Sequence, residues 1–83
     1  MLTTGNQLKA ARALAGLDQN ALADRAGENV NTIRNMESKG GGTLTSGVDI
    51  VHRVSAALEA AGVEFLNHGR PGVRLRGDGR AAG

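Results

Sequence analysis

The sequence has no cysteine, tryptophan or tyrosine, and only one phenylalanine and one proline in 83 residues. Without cysteine there is neither a disulfide framework nor a thiolate metal site, which suits a cytoplasmic setting. Without aromatics the core has to be built from Leu, Ile, Val, Ala and Met, which favours close-packed short helices over a sheet sandwich. No apolar run approaches the ~20 residues needed to cross a bilayer, and no charged-then-apolar start suggests export. Ten basic residues stand against eight acidic ones, for a net charge of +2, so no strong field of one sign surrounds the whole chain. Chemistry-bearing patterns are equally scarce. His52 and His68 have no partners at metal-ligand spacing, and Gly40–Gly42 lacks the Lys-Ser/Thr ending of a phosphate-cradling loop. No nucleophile–base pair suggests itself. The expectation is a protein that is not an enzyme and has no catalytic residue, metal, cofactor or evident small-molecule ligand.

What the chain does have is a run of helix signals with clear stops. Thr4-Gly5-Asn6-Gln7 has the spacing of a capping box and opens a helix to about Ala15, with Leu8, Ala11, Leu14 and Ala15 on one face and Gly16 as its stop. Asp18 caps a second helix, Gly27 ends it, and Asn29 caps a third from about Val30 to Ser38. The glycine-rich stretch Lys39–Gly47 reads as a flexible link. Ser46-Gly47-Val48-Asp49 is a second capping box, starting a fourth helix that continues to Ala61, with Ile50, Val51, Val54 and Leu58 inward and Gly62 closing it.

The period then changes. Val63–Leu66 and Val73–Arg76 are short strand-like runs around a bend containing Gly69, Pro71 and Gly72, which together suggest a hairpin. A lone two-stranded hairpin is marginal in water. It is therefore expected to pack on the helices or to pair with a second chain, burying Phe65, Leu66, Val73 and Leu75 together. From Gly69 to Gly83 there are four arginines (Arg70, Arg74, Arg76, Arg80) against Asp78 alone. Such a segment is either a solubilising tail or a phosphate contact.

The most informative stretch is Gln19–Glu37. Leu22, Ala23 and Ala26 form the apolar face of one short helix, and Ile33 and Met36 the inner stripe of the next. Gly27 tolerates the positive φ that the tight turn between them needs, and Ala23 is small enough for two helices crossing steeply. Gln19, Ala23, Gly27 and Ile33 at this spacing resemble the helix-turn-helix of the Cro/C1-type (Xre) repressor family. The resemblance covers roughly Leu8 to Leu58 and includes the first-helix pattern of Leu8, Ala11, Arg12, Leu14 and Leu17, together with the closing Met36-Glu37.

That resemblance implies a mostly α fold: a compact helix-turn-helix domain of four to five short helices with a C-terminal β-hairpin or strand extension. With the strand-like runs and their unpaired edges, the chain is expected to divide into a DNA-binding domain at 1–62, a strand or hairpin at 63–76 that serves as a dimerisation element, and a disordered tail at 77–83. The implied function is sequence-specific binding of double-stranded DNA by a homodimeric transcriptional regulator, autoregulatory in the absence of any ligand domain. The DNA-binding residues implied are Gln19, Asn29, Val30, Asn31, Thr32, Arg34, Asn35 and Lys39. Gln19 would touch a phosphate or support the recognition helix. Asn suits adenine, Arg suits guanine and Val suits a thymine methyl, and Thr32 would reach a phosphate. Arg12 and Glu37 match positions that often pair in the family, holding the recognition helix at its docking angle. Glu28 departs from the family pattern, standing where an apolar anchor is usual; it is expected to weaken packing and to bring negative charge near the DNA. Val30 also departs, standing where a polar base-reading residue is more usual. Glu28, Val30 and the low net charge suit a competing expectation, a helix-turn-helix fold adapted to bind protein as an antiactivator or antitoxin.

Overall fold

The computed structural model describes Met1–Arg76, so the tail expected at 77–83 lies outside the described residues. Four helices are followed by an antiparallel hairpin: α1 Gly5–Ala15, α2 Gln19–Ala26, α3 Val30–Glu37, α4 Val48–Ala60, β1 Val63–Leu66 and β2 Gly72–Leu75. The fold is mostly α with a C-terminal β-hairpin, as the sequence pattern implies.

Three of the helix starts are set by side chains that satisfy the open backbone donors of a first turn. Thr4 accepts from the Gln7 N–H at 3.1 Å, Asp18 from Ala21 at 2.7 Å, and Asn29 from Asn31 at 2.8 Å. Gly16 and Gly27 end α1 and α2 in the left-handed conformation, with φ of 71° and 67°. The expected capping box at Ser46 does not form. α4 is capped by Gly47 in extended conformation with no side-chain hydrogen bond, which places Ser46 one residue too early to reach the first turn. Asp49 remains in that first turn, where its charge favours the helix dipole. The helix ends at Ala60, with Ala61 as its cap.

The core joins Leu8 and Ala11 of α1, Leu22, Ala23 and Ala26 of α2, Ile33 and Met36 of α3, Val54 and Leu58 of α4, and Leu2 and Val63 from outside the helices. Leu14 is not part of it and lies exposed, contrary to expectation. At 100° per residue it sits about 120° away from Leu8 around the helix, whereas Ala11 and Ala15 fall within about 60°. Leu2 belongs to the core, and its N–H donates to the buried Ser55 hydroxyl at 3.3 Å.

The Lys39–Gly47 stretch is folded against α1. Asn6 N–H donates to the Gly40 carbonyl at 2.8 Å, Leu44 N–H to the Thr3 carbonyl at 2.9 Å, and Thr4 forms an isolated bridge with Thr43. This contact depends on Gly5. A Cβ there would lie 2.5 Å from the Met36 carbonyl oxygen and 2.9 Å from both the Glu37 oxygen and the Gly40 nitrogen. The first turn of α1 and the last turn of α3 thus meet backbone to backbone.

The hairpin pairs Val63 with Leu75, Glu64 with Arg74, Phe65 with Val73 and Leu66 with Gly72. β2 therefore starts at Gly72, one residue before the expected run. Successive residues point to opposite faces, so Val63, Phe65, Val73 and Leu75 share one face and Leu66 lies on the other, with Glu64 and Arg74. Leu66 thus cannot join the apolar group expected of it. Val63 is fully buried, and Phe65 and Val73 pack against the helical core. The division at 62/63 marks a change of secondary structure within one continuous core. The chain's own helices cover this face only in part: Val63 is buried and Phe65 and Val73 are half-buried, while Leu75, expected to be buried with them, is exposed at its end.

Candidate nucleic-acid interface

α2, its glycine turn and α3 form the helix-turn-helix unit. Ile33 and Met36 bury one side of α3, leaving Asn31, Arg34 and Asn35 exposed on the other. Arg34 Nη1 donates to Asn31 Oδ1 at 3.0 Å, a bond between neighbouring turns on the open face. Lys39, just past the helix, is exposed. These four residues form an exposed polar group with two cations.

The other expected contact residues are placed differently. Val30 is half-buried and packs against the core, so its methyls are turned from the open face. Thr32 is half-buried on the flank of α3. Asn29 is exposed, but its side-chain oxygen is committed to capping α3. Gln19 stands in the first turn of α2, and its amide donates to Glu37 Oε1 at 3.1 Å. Of the two roles implied for it, the geometry supplies the support of α3.

Glu37 is the focus of that support. Arg12 Nε donates to Glu37 Oε2 at 2.7 Å and Arg12 Nη2 to Oε1 at 3.2 Å, a two-pronged pair whose side chains are only 18% and 7% exposed. The remaining Arg12 Nη1 donates to the Leu17 carbonyl at 3.1 Å. One carboxylate therefore ties α1 and the start of α2 to the last turn of α3. Its hydrogen bonds raise the Arg12 pKa, against the opposing effect of burial. A raised basic pKa contributes stability that is complete below the unfolded value and lost only as pH climbs past the folded one. For a guanidinium that window lies at strongly alkaline pH, so the clamp is not a switch in the neutral range.

Replacing Glu37 by Gln keeps the shape but leaves Arg12 charged, largely enclosed and without its counter-ion. The expected cost is about 1–3 kcal/mol of stability. A double-mutant cycle with Arg12→Met, followed by urea unfolding, measures the coupling; a value near zero would show that the two side chains act independently.

The sequence reading of Glu28 changes in the structure. Its side chain turns toward α4 and forms an ion pair with Arg53, whose Nε donates to Glu28 Oε2 at 2.7 Å. The charge is thereby neutralised, and the turn before α3 is fastened to α4. Arg53 carried no sequence signal, because it is 25 residues away and has no role in the local helix pattern.

No known protein-family pattern matches the chain, and a search of curated proteins finds no match.

Proposed function

We propose that the protein is a sequence-specific DNA-binding transcriptional regulator of the Cro/C1 type, acting as a homodimer. The observation that carries this reading is the exposed Asn31–Arg34–Asn35 face on a short helix whose opposite face is buried and whose end is clamped by Arg12, Gln19 and Glu37. Arg and Asn are the side chains that pair bidentately with guanine and adenine edges, and a major groove about 12 Å wide admits one helix. Two copies about a two-fold axis would present their α3 helices to half-sites about 34 Å apart.

The competing protein-binding reading drew on Glu28, Val30 and the low net charge. Glu28 is explained by its pairing with Arg53, and Val30 by its packing against the core. Both serve the fold, and neither then argues for a protein partner.

The test is selection of binding sites from a pool of random-sequence duplexes, followed by titration of the selected duplex at two salt concentrations. Arg34→Ala is expected to weaken binding to the selected duplex by about 1–3 kcal/mol while leaving binding to unrelated duplex almost unchanged. Failure to enrich any sequence would reject specific recognition. An equal loss on both duplexes would assign Arg34 to phosphate.

A further inference from the structure

The hairpin ladder leaves β2 with an open edge. Arg76 N–H donates to the Gly62 carbonyl at 2.8 Å, one step beyond the Val63–Leu75 pair. Hydrogen-bonded and non-hydrogen-bonded pairs alternate along an antiparallel ladder. Glu64–Arg74 and Leu66–Gly72 are therefore bonded pairs, whereas Val63, Phe65, Val73 and Leu75 turn their backbone N–H and C=O groups outward. Those of Val73 and Leu75 meet no backbone partner among the described residues. β1 has the same pattern, but its side is shielded. Ala61 and Gly62, both buried, lead into it from α4, it packs against α1 and α4, and Val63 is buried. β2 lies on α1, and exposure rises along it from half-buried Gly72 and Val73 to exposed Arg74, Leu75 and Arg76.

Open edges are usually blunted by lysine, proline, a bulge or an unpaired charge. β2 has no lysine or proline, and its register runs unbroken from Gly72 to Leu75. Its two arginines are occupied within the chain: Arg74 Nε donates to Glu64 Oε1 at 2.5 Å, and Arg76 Nη1 to the Glu59 carbonyl at 3.1 Å. Leu75, 38% exposed, ends the apolar face on this edge. The strand is also complementary to itself. Laid antiparallel beside a second β2, with a two-fold axis at Arg74, Val73 faces the partner's Leu75 and Leu75 faces the partner's Val73. Each of these pairs exchanges two backbone bonds, and the two apolar faces become one. A copy slid one bonded step toward the turn would set Leu75 against Pro71, which has no N–H to give.

We propose that the β2 edge binds a second copy of this chain, joining two hairpins into one four-stranded sheet in which Val73 of each protomer pairs with the partner's Leu75. The wider sheet has the three or more strands that make an apolar-faced sheet stable, and it covers Leu75. A strand of four residues supplies a short interface, below the ~1,200–2,000 Å² of stable complexes, so the dimer forms and dissociates with concentration. This inference rests on the homodimer part of the reading above and is independent of the DNA contact of α3.

The experiment uses the full chain without DNA. Sedimentation velocity over a concentration series should show the parent passing from monomer to dimer. Leu75→Pro removes an N–H that points away from β1, so the hairpin keeps its own ladder, as edge strands do with proline at such positions. It should raise the dimer dissociation constant about tenfold or more, because one bond is lost on each side of the axis. A variant that is folded by circular dichroism and dimerises like the parent would overturn the proposal. Cross-linking decides the matter even if that variant does not fold. The chain has no cysteine, so a single introduced thiol can pair only with its own counterpart. At Arg74 the two Cα atoms would be about 4.5 Å apart in a non-hydrogen-bonded pair, within disulfide range. Arg74→Cys should therefore form a covalent dimer under mild oxidation. Glu64→Cys, about three strand spacings or ~14 Å from its counterpart, should not. Equal cross-linking at both positions, or more at Glu64, would overturn pairing through β2. A parent that dimerises without cross-linking at position 74 would sink the β2 edge and leave the homodimer reading standing, whereas a parent monomeric at every concentration would remove both.

Discussion

Gly5→Ala is expected to cost about 3 kcal/mol or more, although alanine normally improves a helix by up to about 1 kcal/mol over glycine. The added methyl would lie 2.5 Å from the Met36 carbonyl oxygen and 2.9 Å from two further backbone atoms. None of these is the end of a flexible side chain, so α1 and α3 must move apart as bodies. The separation would also strain the Arg12–Glu37 clamp and the Asn6–Gly40 hydrogen bond that cross the same contact. Thermal unfolding of Gly5→Ala beside Gly16→Ala provides the comparison. Gly16 has φ of 71° but open space around it, so its alanine variant reports backbone strain without a clash. Gly5→Ala should be the more damaging of the two; equal stability to the parent would show that the two helices are free to separate.

Ending the chain at Gly62 is expected to remove most of the fold's stability. As the separate dimerisation element expected at 63–76, the hairpin would be dispensable to the helices, and its loss would affect only dimer formation and cooperative DNA binding. The structure predicts a different result. Val63 is 1% exposed within the common core, and burying such a side chain is worth about 1.5–3 kcal/mol. Removing Leu66, Asn67 and Gly72 also ends three hydrogen bonds from the Gln7 amide, which water then replaces at a net cost of about 0.5–1.5 kcal/mol each. With the half-buried Phe65 and Val73 lost as well, the total approaches the 5–15 kcal/mol that holds a small domain together. Urea unfolding followed by circular dichroism should show a broad transition at low denaturant. A truncated chain with the parent's midpoint would establish the hairpin as an accessory to the helical domain.

The local elements were legible because their signals act within a few residues. Thr4, Asp18 and Asn29 each satisfy a backbone donor two or three positions on, and Gly16 and Gly27 adopt the left-handed conformation at the end of their own helices. The same range explains the failure at Ser46, where the pattern was present but the chain entered α4 one residue later. On α3, the separation of Ile33 and Met36 from Asn31, Arg34 and Asn35 follows from helical period alone. The Arg12–Glu37 pair spans 25 residues and was anticipated through family resemblance, since nothing in the local pattern joins the two.

The sequence by itself determined the mostly α class, the three side-chain caps and the exposed polar face of α3. Tertiary structure alone decided that Glu28 meets Arg53, that Gln19 turns to Glu37, that Gln7 holds the hairpin and that Gly5 permits two helix ends to touch. The physical reason is range. Caps and periodicity are properties of consecutive residues, whereas an ion pair, a buried amide or a missing Cβ acquires its meaning only from the distant segment packed against it.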